Sequence, residues 1–273
     1  MTTLQHYPNL DILPVEKICL HEHHDPQRTL PLMARIRASG ILYNPPLVIP
    51  VENTDGRHMV LDGANRVTSM KEIGLPHLLV QIVDRQSPGL SLKTWNHVLW
   101  KIGSDRLLEE IAGIDKISIE PILEPKFDDQ TLALITMPDH RHFSLKTQTP
   151  DMRSDAINQL VQMYSQLSRY DRTMIEDIDH LEGFYNQLAG LVIYPPFKIS
   201  DVVQFCQDDR FLPAGITRFI VSPRALRVNY PLEKLSSDQP LEEKRNHLRT
   251  FIQERMDKKG VRIYTETTVL YDE

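Results

Sequence analysis

The five residues Asp62-Gly63-Ala64-Asn65-Arg66 stand between a short strand-like run at 58–61 and a stretch in which Val67, Met70 and Ile73 recur every third position. That context reads as strand, turn, helix. A glycine at such a turn lets the backbone approach a ligand closely, and the N–H groups of the following first helical turn favour an anion. Arg66 adds a planar, permanently charged fork for phosphate oxygens, and Asp62 a hard carboxylate oxygen for Mg²⁺ beside them. The same residues also make an ordinary turn in which Asp62 caps the helix and Arg66 is solvated, and so short a motif does not separate the two readings.

A second cluster, Cys19-Leu20-His21-Glu22-His23-His24-Asp25, packs three histidines against two carboxylates at the end of an expected strand. Neighbours on an extended strand point to opposite faces, so only alternate residues could share an ion. The histidines therefore read as structural or surface residues rather than a metal site. Glu22 is different: beside a phosphate pocket, a carboxylate can take the proton of an attacking hydroxyl.

Short apolar strands and two helices over 12–84 would position these groups. Thr29 is expected to cap a helix with Pro31 near its first turn and Gly40 at its end. Strands at 47–51 and 58–61 flank Asn53-Thr54-Asp55-Gly56 as a hairpin. The helix after Arg66 stops at Gly74, and 78–83 is a further strand. Gln86-Ser87-Pro88-Gly89 marks a boundary, giving domains 1–88 and 89–273 and an α+β chain. In the second part the reading is a helix over 91–111, a hairpin of 131–137 with 141–146, and an amphipathic helix over 154–170. Strands at 191–194 and 219–221 follow, then a helix over 241–259 and a final strand over 261–271.

The chain has 273 residues and 31 Lys+Arg against 37 Asp+Glu, a net charge of −6, which argues against a polyphosphate backbone as the main partner. Nothing approaches the roughly 18 apolar residues of a membrane span, and residues 1–13 lack a signal-peptide pattern. Cys19 and Cys206 are isolated, so unpaired thiols in a reducing cytoplasm are the expectation, with Cys206 a core residue.

The order of 13–18, Leu20-His21-Glu22, 44–49 and the 62–66 turn resembles the ParB/sulfiredoxin-like nucleotide-binding fold. Sulfiredoxins need a reactive cysteine beside the phosphate-binding arginine, where this chain has Ala64-Asn65. Partition-type ParB proteins carry a helix-turn-helix that is not evident here. The chain is more similar to the free L-serine kinases, in which Leu-His-Glu supplies the catalytic glutamate and Asp-Gly-x-x-Arg holds metal and nucleotide phosphates. Residues 91–97 resemble that family's tryptophan-containing helix, and 215–220 with 224–232 its C-terminal signature. Two positions depart from the pattern: Phe219 stands where Thr-Arg-His has its histidine, and Asn65 where histidine is frequent.

The resemblance implies phosphoryl transfer from a nucleotide, ATP in preference to ADP, to the hydroxyl of L-serine, giving O-phospho-L-serine. It assigns Glu22 as general base and Asp62 to Mg²⁺. Gly63, Asn65, Arg66 and Thr68 would hold the nucleotide, and Trp95, His97, Thr217 and Arg218 the amino acid, with Arg218 as the carboxylate fork. Arg224, Arg227 and Asn229 are second choices that would brace the site. The rival readings are a nucleotide-responsive DNA-binding regulator and a kinase of another small hydroxylated metabolite.

Overall fold

The computed structural model describes residues 7–147 and 152–264. The first part runs β1 (Asn9–Pro14), β2 (Ile18–Cys19), α1 (Pro26–Ser39), β3 (Ile41–Leu42), β4 (Leu47–Pro50), β5 (His58–Asp62), α2 (Ala64–Ile73) and β6 (His77–Ile82). Its five-stranded sheet has the order β1-β6-β4-β5-β2, with β4 and β5 forming the expected hairpin. Helix α1 begins earlier than Thr29. Asp25 is its cap, accepting from Gln27 N at 3.0 Å, with Pro26 opening the helix. Thr29 is buried one turn in, returning its hydroxyl to Asp25 O at 2.9 Å, and Pro31 lies inside the helix.

The second part continues with β7 (Leu90–Thr94), β8 (Asn96–Trp100), α3 (Ser104–Ala112), β9 (Ser118–Ile122), β10 (Thr131–Thr136), β11 (His142–Lys146), α4 (Arg153–Leu167), β12 (Arg169–Thr173), α5 (Ile178–Glu182), β13 (Leu188–Ile193) and α6 (Ile199–Gln207). A six-stranded sheet of order β12-β8-β13-β10-β11-β9 is its centre. The helix expected over 91–111 is instead two strands and a short helix. Trp95, Val98 and Leu99 mimic helical spacing, but β8 lies between β12 and β13 with Asn96 through Leu99 all buried. A strand covered on both faces loses the alternation that would identify it.

The chain then passes through β14 (Thr217–Val221), β15 (Tyr230–Pro231), α7 (Leu232–Ser236) and α8 (Leu241–Asp257). Strand β14 pairs with β7, and β15 returns to β3. Val228, Tyr230, Leu235 and Leu248 pack into the same core as Ile12, Val48, Val67 and Leu78, so the C-terminal stretch closes over the first sheet. Arg245 of α8 clamps Asp11 of β1 with contacts of 2.9 and 3.1 Å. Residues 261–264 are not a strand, and the remainder of the strand expected over 261–271 lies outside the described residues.

Cys19 and Cys206 form a disulfide across 187 positions of sequence, joining β2 to α6. The expectation of unpaired thiols is not met. Each cysteine looks isolated in sequence because only the tertiary fold makes them neighbours. No described helix is long and apolar enough to cross a membrane.

Candidate active site

Strand β5 ends at Asp62, and Gly63 takes φ +103° to start α2. A Cβ there would come within 3.0 Å of Arg66 Nη2 and 3.1 Å of the Pro46 side chain, so the position needs glycine for its backbone and for its space. The first bond of α2 runs from Val67 N to Gly63 O at 2.9 Å, leaving the amides of 64–66 without an intrahelical acceptor at the wall of a cavity of about 830 Å³. Six arginines line that cavity (Arg28, Arg35, Arg66, Arg172, Arg224 and Arg227) against three carboxylates, Glu22, Asp25 and Asp62. A chain of net charge −6 thus carries a local cationic basin suited to a polyanion of small size.

Much of the arginine fork is engaged in holding the turn. Arg66 Nη1 donates to Asn44 O at 2.6 Å and Nη2 to Asp62 Oδ2 at 2.9 Å, while Arg224 reaches the same Asp62 oxygen from the far end of the chain. Gln81, buried on β6, fixes the loop that carries Arg224. Its amide donates to Pro223 O and its carbonyl accepts from Ala225 N, both at 2.8 Å. Asn65 Oδ1 accepts from Asp25 N at 2.8 Å, tying the start of α2 to the start of α1. Thr68 does not line the cavity.

Glu22 reaches the cavity because its neighbours are pinned on both sides. Leu212 N donates to His21 O and His23 N to Leu212 O, each at 2.8 Å. His21 is buried, and desolvation lowers its pKa to about 4, so it is neutral. Its Nδ1 faces the Val60 carbonyl at 2.8 Å, which only accepts, so Nδ1 carries the proton and Nε2 accepts from Thr217 Oγ1 at 2.8 Å. Thr217 Oγ1 also lies 3.3 Å from Glu22 Oε2. With one hydroxyl proton and His21 the nearer acceptor, Thr217 offers a lone pair to Glu22 whenever that carboxyl is protonated.

Glu22 Oε2 accepts from Gly215 N at 3.1 Å. Burial pushes its pKa up to about 7, outweighing the opposing pull of the Gly215 amide and the Arg172 charge. A carboxyl that titrates near neutrality at the inner end of a cationic cavity has the properties of a general base.

His97 lies behind this arrangement rather than in the cavity. It is fully buried, with a pKa lowered by desolvation to about 4. Nε2 stands 3.2 Å from Gly215 O, an acceptor, so the proton is on Nε2 and Nδ1 accepts from the Tyr164 hydroxyl. Tyr164 in turn accepts from Tyr194 at 2.9 Å. The chain Tyr194, Tyr164, His97, Gly215 therefore runs in one direction and ends by fixing the peptide whose next-door amide holds Glu22.

Trp95 and Arg218 meet each other: the guanidinium sits 4.3 Å from the ring centroid. Neither lines the cavity, and Trp95 lies between two strands instead of on a helix. Phe219 packs edge-on against His21 with centroids 5.6 Å apart. The sequence reading passed over Arg28, Arg35 and Arg172. The first two lie on α1, seven positions apart and so on one face of that helix. Arg172 had no sequence signal, because only the six-stranded sheet brings β12 to Gly215. Among the described residues no cluster of three or more His, Cys, Asp or Glu is arranged to hold a metal.

No family model matches the chain. It is 27% identical to the ATP-dependent L-serine kinase SbnI of Staphylococcus aureus over 98% of both chains. It is 36% identical to the ATP-dependent L-serine kinase of Staphylothermus marinus over 101 residues, 37% of this chain and 39% of that protein. Among solved structures it superposes on C-terminally truncated SbnI with a TM-score of 0.73 and 24% identity, covering 91% of this chain and 97% of that one. A free serine kinase in complex with AMP gives a TM-score of 0.69 at 14% identity, over 86% of this chain and 97% of that one.

Proposed function

The chain belongs to the free L-serine kinase family, phosphotransferases with an alcohol group as acceptor, and from that premise we propose that it transfers the terminal phosphoryl group of ATP to the hydroxyl of L-serine, giving O-phospho-L-serine. The observation that carries this reading is Glu22, a half-buried carboxyl with its pKa raised to about 7 in the lining of an arginine-rich cavity. As the serine oxygen bonds to phosphorus and the bond to the departing diphosphate breaks, the hydroxyl proton passes to Glu22. The protonated carboxyl can then donate to the Thr217 lone pair, so the same site accommodates it before and after transfer.

The N-terminal amides of α2, with Gly63, Asn65 and Arg66, are assigned to the nucleotide phosphates. Arg224, beside Asp62, adds positive charge there. Asp62 is the residue that would hold Mg²⁺, through the carboxylate oxygen other than the Oδ2 that Arg66 and Arg224 meet. Bound there, the ion would neutralise charge on the phosphates. Thr217 and His97 act from behind, the first against Glu22 and the second through Gly215. Residues 1–88 form the nucleotide side in this reading and 89–273 the acceptor side, with the C-terminal stretch returning Arg224 to the first. Incubation with L-serine, Mg²⁺ and either ATP or ADP, with product detected by mass, tests the proposal. O-Phosphoserine from ATP is expected. Its absence with both donors, despite nucleotide binding, would overturn the reading.

A further inference from the structure

Arg172 makes no ion pair among the described residues. It projects from β12, opposite His97 of β8 in the register, and lines the inner end of the cavity with Glu22, Ala214 and Gly215. Its one hydrogen bond is from Nη2 to Ala214 O at 3.1 Å, and no carboxylate of the described residues pairs with it. The Arg172 charge is felt by Glu22. The guanidinium lies directly over Gly215, where an added Cβ would come 1.8 Å from Cζ and 2.0 Å from Nε. Gly215 has φ +81°, so both its backbone and the space above it are reserved for that side chain.

A half-buried guanidinium held this way is costly unless a ligand supplies the opposite charge. The arginine that the motif offers for a carboxylate, Arg218, is stacked on Trp95 away from the cavity. Serine's carboxylate is only two bonds beyond the carbon bearing its reacting arm, so a group that holds it must stand close to the base. We propose that Arg172 is the carboxylate receptor of the acceptor amino acid, seated by Gly215 beside Glu22. This inference rests on the serine kinase reading and adds to it a specificity-determining residue from the second sheet.

The test compares L-serine with L-serinamide, whose carboxylate is replaced by an uncharged amide, in the wild type and in Arg172→Met, Arg172→Lys and Gly215→Ala at saturating ATP. Arg172→Met is expected to raise KM for L-serine by about tenfold or more with a smaller change in kcat, the size of a lost charge-assisted bond. Toward L-serinamide, already a poor substrate, the same variant should lose little further. Arg172→Lys should recover part of the KM, and Gly215→Ala, which displaces the guanidinium but keeps its charge, should resemble Arg172→Met. ATP affinity by calorimetry serves as the folding control for every variant. Equal losses on both acceptors would reassign Arg172 to the phosphoryl group and overturn the proposal, as would a serine KM unchanged in both Arg172→Met and Arg172→Lys. A wild type that makes no phosphoserine would instead overturn the kinase reading itself.

Discussion

The two walls of the cavity carry their polar groups differently. On the side built by α1, α2 and the loop before β15, five arginines line the cavity, and two of them, Arg66 and Arg224, meet at Asp62. On the side behind Glu22, the polar groups are His21, Thr217, His97, Tyr164 and Tyr194, buried, neutral and hydrogen-bonded in fixed directions. The first wall keeps four of its five arginines, Arg28, Arg35, Arg224 and Arg227, exposed to water. The second cannot hold charge without paying desolvation, and it uses that fact to raise the carboxyl it surrounds. Of the residues that look chemically rich in sequence, His21 and His97 are buried scaffolding, and the Glu22 carboxylate reaches the cavity.

Glu22→Gln should break the buried wall most severely. It removes the proton acceptor but keeps the shape, so kcat is expected to fall by about a hundred- to ten-thousand-fold while calorimetry finds ATP affinity unchanged within about twofold. A large loss of nucleotide affinity would mean that the two walls are not separable. In the wild type, the base works only as carboxylate, so kcat should rise with pH through about 7 and vanish below it, a limb that a pH–rate profile reads directly.

The same substitution should stabilise the fold. A carboxyl at 4.5 when unfolded and about 7 when folded binds its proton more tightly in the native state, so it costs stability increasingly as pH rises from 4.5 to 7. At pH 8, Glu22→Gln is expected to gain on the order of 3 kcal/mol by urea titration, with the gain disappearing near pH 4. His21 and His97 act in the opposite sense. Both fall from 6.5 to about 4, so their contribution is complete above 6.5 and is lost as pH drops toward 4.

On the charged wall, Arg224→Ala should weaken ATP binding by about tenfold, with the loss shrinking at high salt, and should leave KM for serine nearly unchanged. The smallest effect on ligand binding belongs to Tyr164→Phe. It leaves His97 Nδ1 buried without its donor, a cost of about 1–3 kcal/mol in thermal or urea unfolding, with ATP affinity intact. If Tyr164→Phe weakened ATP binding as much as Arg224→Ala, the contrast between the walls would fail.

Local chemistry was enough for the elements that depend on adjacent residues. The 47–62 hairpin, the glycine-started helix α2 and the amphipathic α4 are all legible, because turn residues, caps and a one-sided apolar stripe act over a few positions. Motif and resemblance singled out Glu22 and Asp62, and both line the cavity. What the tertiary structure alone decided is whatever requires distant segments to meet. Strand β8 is a strand because sheets bury both its faces, not because of its periodicity. Arg172 lies over Gly215, Arg224 on Asp62 and Cys19 against Cys206, at separations no spacing rule spans. The pKa of Glu22 and the neutrality of His21 and His97 belong to the same class. Desolvation is set by the number of atoms the fold brings around a group, and a sequence specifies the group but not its surroundings.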